Sequence, residues 1–175
     1  AIANLYIYII RGTPMLVQIL IIYFGLGQML RPTGFRWLNI GGTFTAGTVA
    51  LSLNAGAYMA EIVRGGIEAV DKGQIEAARS LGLTYGKTMK KIVLPQALRT
   101  MLPSIINQFI ISIKDTSLLS VIGLTELTNV GKTIAATQSA HMMVIYCFMA
   151  CYYLFICTVL AQVSKVVEKR LSYGK

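Results

Sequence analysis

Four apolar segments divide this chain, and each is close to the length needed to cross a bilayer. They cover residues 13–30, 43–63, 102–123 and 142–163. An α-helix needs about 20 predominantly apolar residues to span the hydrocarbon layer. The segments therefore predict an all-α membrane protein with four spans, folded as a single domain over residues 1–175.

Composition supports membrane insertion, because charged residues make up 13% of the chain and its mean hydropathy is +0.63. Soluble domains carry about 25% charged residues. The net charge of +9 comes with no motif that reads DNA or RNA, so no nucleic-acid partner is expected. Eleven of the sixteen basic residues lie in 64–99 and 164–175. Basic loops face the cytoplasm, so both stretches and the two visible ends are predicted there.

Residues 1–12 predict a lead-in helix that ends at Arg11-Gly12, with Thr13 as a candidate N-cap and Pro14 in the next first turn. Trp37, in the loop of residues 31–42, is a candidate interfacial anchor.

The second segment, residues 43–63, is rich in Gly, Ala, Ser and Thr. Small residues let helices approach closely in lipid, so this span is expected at the centre of the bundle. Asn54 within it is either an interhelical hydrogen-bonding group or a solute contact. At its end, Glu61 and Arg64 are spaced to pair across one helical turn.

The third segment is interrupted by Lys114-Asp115-Thr116-Ser117. At about 1.5 Å per residue from Leu102, Asp115 lies roughly 20 Å into the membrane. A charge at that depth costs about 3 kcal/mol on insertion scales. Adjacent helical residues do not face one another, so Lys114 and Asp115 do not simply neutralise each other. The interruption predicts either a solute pathway and gate, with Asp115 facing an amino group, or a buried structural ion pair.

The polar run of residues 74–95 lies between the second and third spans. Its composition predicts one helix that Gly82 ends and a second that Thr84 caps and that runs to about Leu94, where Pro95 either forces a break or begins the next element. One side of the first helix is apolar at helical spacing: Ile75, Ala78 and Leu81. Physics alone leaves two roles open, because such a hairpin suits either a soluble protein partner or an anionic lipid surface.

The same run resembles a known signature. It reads Glu-Ala-Ala, three residues, Gly, nine residues, Ile-x-Leu-Pro, which is similar at every position to the EAA signature of membrane subunits of ABC-type importers. Further stretches resemble the polar amino-acid permeases of that class: residues 11–14, 17–18, 23–25, 57–61, 64–67, 73–74 and 114–118. Members usually carry one more span before the Arg-Gly-Thr-Pro stretch, so an N-terminal span is expected to be missing here.

This resemblance implies a permease bundle of the type I importer class, with coupling helices in residues 67–95 that dock on separate ATPase subunits. The coupling residues it implies are Glu76, Ala77, Ala78, Gly82 and Leu83. The pathway residues expected are Asn54, Lys114, Asp115, Thr116 and Ser117. The further partners implied are a second permease subunit, as a homodimer or heterodimer, and a solute-binding protein or fused domain outside the bacterial cytoplasmic membrane.

The chain has no Gly-rich phosphate loop of the GxxxxGK[ST] type, so ATP and its Mg²⁺ are expected on the partner subunit and no cofactor on this one. It also has no metal-ligand cluster and no nucleophile–base arrangement, so enzymatic activity is not expected. Two rivals remain: a membrane scaffold that recruits a cytoplasmic protein, and a permease for another small solute.

Overall fold

The structure, a computed structural model, describes residues 2–172 and is helical throughout its regular elements. The end of the predicted basic tail, including Lys175, lies outside these residues. Seven helices follow one another along the chain: α1 Ile2–Arg11, α2 Met15–Met29, α3 Gly42–Glu68, α4 Lys72–Ser80, α5 Tyr85–Ile122, α6 Leu127–Thr137 and α7 Met142–Ser172. Short 3₁₀ turns at Arg31–Thr33, Trp37–Ile40 and Ser139–His141 lie between them.

Helices α3 and α5 pack together at the centre of the bundle. The buried residues of α3 are mostly small and recur at helical spacing: Ala46, Gly47, Ala50, Asn54, Ala57 and Gly66. A Cβ on Gly47 would touch the Leu119 side chain at 2.9 Å, and a Cβ on Gly66 would overlap Met101. The central position predicted for this small-residue segment is therefore found, and lateral packing between its small side chains explains it.

The chain bends by 111° between α1 and α2. The expected helix end at Arg11 is found, but the expected cap is wrong. Pro14 occupies the N-cap position of α2 and makes no side-chain cap bond. The Thr13 hydroxyl donates instead to the Ile9 carbonyl, 2.8 Å away, because that carbonyl belongs to the unpaired last turn of α1.

The four-span count is not confirmed. Among the residues that the structure describes, two helices are long and apolar enough to cross a membrane, Tyr85–Ile122 and Met142–Lys169, and the bent pair α1–α2 makes three if it acts as one span. Helix α3 has 27 residues, which is sufficient length. Its Gly, Ser, Thr and Asn residues lower its hydropathy, since they serve helix packing rather than contact with lipid.

The predicted interruption of the third span coincides with a change in helix type. The α-helical turns of α5 end at Asp115, and a 3₁₀ segment continues from Thr116 to Ile122. Gly123 then terminates α5 with a left-handed φ of 78°, a conformation that glycine adopts without steric cost. The helix tightens at this point rather than breaking.

Two adjacent glycines allow a direct test of the α3–α5 packing. We expect Gly66→Ala to lower the melting temperature of the detergent-solubilised protein, because a new Cβ would displace Met101. Overpacking of this kind costs about 1–3 kcal/mol. The matched control is Gly65→Ala, where nothing lies within 4 Å of an added Cβ. Equal melting temperatures for the two variants would contradict this packing.

Candidate functional site

A cavity of about 750 Å³ lies between the start of α2 and the facing sides of α3 and α5. Its wall residues on α3 and α5 recur every three or four positions, which places them on one face of each helix. The lining comprises Thr13, Pro14, Met15, Asn54, Tyr58, Ile62, Pro103, Ser104, Asn107, Gln108, Ile111 and Asp115. Its volume lies within the range of small-molecule sites.

Two of the five predicted pathway residues, Asn54 and Asp115, line this cavity on opposite helices. Asp115 is the only carboxylate among the lining residues, and its neighbours there carry amides and hydroxyls. Lys114, Thr116 and Ser117 are not among the lining residues. The Thr116 and Ser117 hydroxyls donate to the carbonyls of Ile113 at 2.6 Å and Lys114 at 2.7 Å. Such bonds cap the carbonyls left free where the helix changes type.

Asn54 also makes an interhelical hydrogen bond. Its Nδ2 donates to Gln18 Oε1 on α2 at 2.9 Å, and both side chains are buried. The interhelical role considered for Asn54 is therefore found, and its position in the cavity lining leaves solute contact as a prediction.

Sequence reasoning missed Asn107 and Gln108, which lie on the cavity face of α5. The sequence did indicate these two residues, because their amides interrupt an otherwise apolar stretch of that helix.

A cluster of charges lies beside the cavity at the end of α3. The predicted pair is confirmed, with Arg64 Nη2 at 2.8 Å from Glu61 Oε2. Arg64 also bonds Glu68 at 2.9 Å. Arg11, at the end of α1, bonds Glu61 at 2.7 Å and stacks over the ring of Tyr58. The cluster thus attaches α1 to α3, a role for Arg11 that its position in the sequence did not indicate.

The first part of the polar run, up to residue 83, forms the end of helix α4 and a tight turn at the edge of the helix bundle. Asp71 caps α4, its carboxylate accepting from the Gly73 N–H at 2.8 Å. Helix α4 ends at Ser80, and Gly82 follows it with a left-handed φ of 82°, in agreement with the predicted helix stop. Glu76 and Ala77 are exposed on α4, while Ala78 packs against the chain itself at 5% exposure.

The apolar side predicted for α4 is only partly right. Leu81 lies past the end of the helix and is 84% exposed, while Ile75 and Ala78 face the bundle. Leu83 is half-buried, and its N–H donates to the Ala78 carbonyl at 3.2 Å. Helix α4 therefore packs on the bundle through one apolar side, and Glu76, Ala77 and Leu81 remain exposed.

The break considered at Pro95 does not occur, and Pro95 lies instead in the first turn of the α-helical segment that begins at Leu94. Helix α5 starts at Tyr85, passes through a π turn at Met89–Val93 and continues beyond Pro95 into the bundle. A π turn changes the spacing of the carbonyl acceptors, so the helix accommodates a residue without an N–H. The hairpin thus has one short arm, α4, and one arm that forms the beginning of a long bundle helix.

Comparison with known proteins shows which family has this arrangement of a helix bundle with a polar turn. A family model described as "Binding-protein-dependent transport system inner membrane component" matches residues 1–173. The chain belongs to this family. Its members are the membrane permease components of ABC transporters, which work with ATPase partners, carry no cofactor and are not themselves catalytic.

Individual relatives and solved structures agree. The glutamine transport system permease protein GlnP of Escherichia coli (strain K12) is 44% identical over 97% of this chain and 74% of its own length. The arginine transport system permease protein ArtQ of Bacillus subtilis (strain 168) is 40% identical over the same shares. A crystal structure of an amino acid ABC transporter with histidines superposes with a TM-score of 0.86 at 40% identity, over 97% of this chain and 75% of that one. The inward-facing MetNI methionine transporter, at 17% identity and a TM-score of 0.69, shares the fold over 94% of this chain and 73% of its own.

The turn at Gly82 provides a matched pair of substitutions. We expect Gly82→Ala to destabilise the solubilised protein by about 1–2 kcal/mol, because an L-residue is strained at a φ of 82°. Gly86→Ala is the control, since both glycines have open space around an added Cβ and only Gly82 has a positive φ. Thermal unfolding of both variants checks this, and an unaffected Gly82→Ala protein would refute the backbone explanation.

Proposed function

We propose that this permease passes a polar or charged amino acid across the bacterial cytoplasmic membrane through the cavity between α2, α3 and α5. The observation that carries the proposal is the position of Asp115, the one carboxylate in a cavity otherwise lined by amides, hydroxyls and apolar groups. Every amino acid brings an ammonium group, and a carboxylate at low local dielectric attracts it strongly. Relatives named as glutamine, arginine and L-cystine permeases support the same solute class.

Asn54 faces Asp115 across this cavity and offers a neutral hydrogen-bonding group to the solute. Lys114, Thr116 and Ser117 contribute to the gate through the helix backbone rather than by lining the cavity. They lie where the α-helical turns of α5 change to the 3₁₀ segment. A change of helix type beside a polar cavity is typical of functional segments in membranes. A scaffold that only recruits a partner has no use for such a cavity.

ATPase subunits supply the energy by docking on the turn of residues 76–83. Support comes from the free face of this turn, where Glu76, Ala77 and an 84% exposed Leu81 point away from the bundle. A docked partner that covers Leu81 would remove this apolar side chain from water, which is favourable. Gly82 and Leu83 hold the bend that presents it.

The topology follows from length and charge. Helix α3 is proposed as a span beside α5, α7 and the bent pair α1–α2, which gives four spans in residues 1–175. The excess of basic residues in 64–99 and 164–175 supports a cytoplasmic position for both stretches. The most apolar window of α7 buries none of its residues inside the chain, so it faces lipid and a second permease subunit. A solute-binding protein or domain delivers the amino acid from outside.

Docking is tested at two leucines of equal exposure. We expect Leu81→Asp to abolish or strongly reduce co-purification of the ATPase subunit with the permease, because a charge replaces an apolar anchor. Leu38→Asp is the control, since Leu38 is 83% exposed in the loop proposed to lie outside. Both variants must be expressed at wild-type levels in the membrane. Loss of the ATPase from both, or from neither, would contradict the proposed docking turn.

Solute recognition is tested at the cavity carboxylate. We expect Asp115→Asn to reduce ATP-driven amino-acid uptake into vesicles about tenfold or more, because a charged hydrogen bond contributes about 1.5–3 kcal/mol, while the complex still assembles. Glu68→Gln is the control: it makes the same acid-to-amide change at an exposed carboxylate outside this cavity. Uptake kinetics that match the unaltered protein would exclude Asp115 from the pathway.

A further inference from the structure

The bend between α1 and α2 leaves a backbone group that the helix itself cannot satisfy. In an uninterrupted α-helix the N–H of residue 14 would donate to the carbonyl of Ile10. Residue 14 is proline, which has no N–H. A carbonyl without a partner is costly inside a bilayer, where no water replaces the missing donor. The Ile10 carbonyl therefore needs a donor from elsewhere.

The side-chain amide of Gln18 is that donor. Its Nε2 lies 2.7 Å from the Ile10 carbonyl, 3.0 Å from the Thr13 carbonyl and 2.9 Å from the Thr13 hydroxyl. The hydroxyl in turn donates to the carbonyl of Ile9 at 2.8 Å. One side chain on α2 thus reaches back across the bend to the last turn of α1.

Asn54 fixes the orientation of this amide from the opposite helix. Its Nδ2 donates to Gln18 Oε1 at 2.9 Å, which leaves the Gln18 nitrogen directed toward the bend. The two side chains are 6% and 7% exposed, so water does not compete for these bonds. A buried network with its polar groups paired specifies one arrangement of its helices.

The residues at both ends of this network border the solute cavity. Thr13, Pro14 and Asn54 line it, whereas Gln18 does not. The angle between α1 and α2 therefore sets the position of one cavity wall. Gln18, which bonds across the bend, is not among the residues that line the cavity.

We propose that Gln18 is a positioning residue for solute binding: by supplying the donor that Pro14 lacks, it holds the α1–α2 bend and with it the cavity wall. This inference rests on the proposed function of the cavity. Its chemical requirement is an amide, because the position needs a donor toward Ile10 and Thr13 together with an acceptor for Asn54.

The first experiment measures solute affinity directly, with the assembled transporter in detergent and a panel of radiolabelled amino acids in equilibrium dialysis. We expect Gln18→Met, which keeps the length of the side chain and removes the amide, to weaken binding about tenfold, or about 1.4 kcal/mol. Gln28→Met is the control, because Gln28 lies further along α2, exposed and away from this cavity. Equal affinities of Gln18→Met and the unaltered transporter would overturn the proposal.

The second experiment measures the bend without any solute. Spin labels at Leu5→Cys on α1 and Phe24→Cys on α2, both at exposed positions, report their distance by pulsed electron paramagnetic resonance after Cys147, Cys151 and Cys157 are replaced by serine. We expect Gln18→Met to shift or broaden the distance distribution, and Gln28→Met to leave it unchanged. An unchanged distribution in Gln18→Met would overturn the proposed control of the bend.

The two readouts separate this inference from the function on which it rests. If the unaltered transporter binds no amino acid, the proposed function fails and the effect on affinity with it, while the distance measurement still decides whether Gln18 holds the bend. If it binds and Gln18→Met binds equally well, the inference alone is wrong. Should Gln18→Met not assemble, the same distance is measured on Thr13→Val, a change that removes one acceptor of the Gln18 amide and leaves Gln18 in place. A shifted or broadened distribution supports the inference, and an unchanged one overturns it.

Discussion

Close contact between α3 and α5 is the constraint on which the rest of this structure depends. Lipid offers no hydrophobic driving force for helix association, so packing and hydrogen bonds must hold the bundle. The glycines at 47 and 66 let Leu119 and Met101 approach the backbone of α3. Asn54 and Tyr58, between these two glycines on α3, line the same cavity as Asp115 on α5. The cavity lies between the two close contacts, and its shape follows from the small residues on either side of it.

The irregular parts of the helices are those where a side chain forms the hydrogen bond that a backbone group lacks. A π turn at Ile21–Leu26 disturbs the regular ladder of α2, and the indole N–H of Trp37 donates to the Tyr23 carbonyl at 3.0 Å. Trp37 is half-buried, so it attaches the loop to α2 in addition to any contact with the interface. Gly27 permits this approach, because a Cβ there would lie 3.0 Å from the indole nitrogen.

Length, composition and spacing predicted much of this molecule. The helical class, the helix end at Arg11, the helix stop at Gly82 and the central position of α3 follow from local residue chemistry. The π turns and the passage of α5 through Pro95 could not be predicted, because a proline's effect depends on which carbonyls its neighbours leave free. The partnership of Gln18 with Asn54, 36 positions apart, also needed the tertiary structure. Asn54 and Asp115 were predicted individually as pathway residues. Only the packing of α3 against α5 shows that they line the same cavity.

The continuity of α5 changes how docking and transport are connected. Two short coupling helices that ended at Pro95 would have formed a separate unit, joined to the spans by a flexible break. Instead the helix that begins at Tyr85, three residues after Gly82, extends without a break through the cavity wall to Asp115. On the proposed function, an ATPase that moves the turn therefore moves one wall of the cavity directly. Two points along that path depart from a regular α-helix, the π turn at Met89–Val93 and Pro103 inside the helix, and a movement of the turn passes through both before it reaches Asp115.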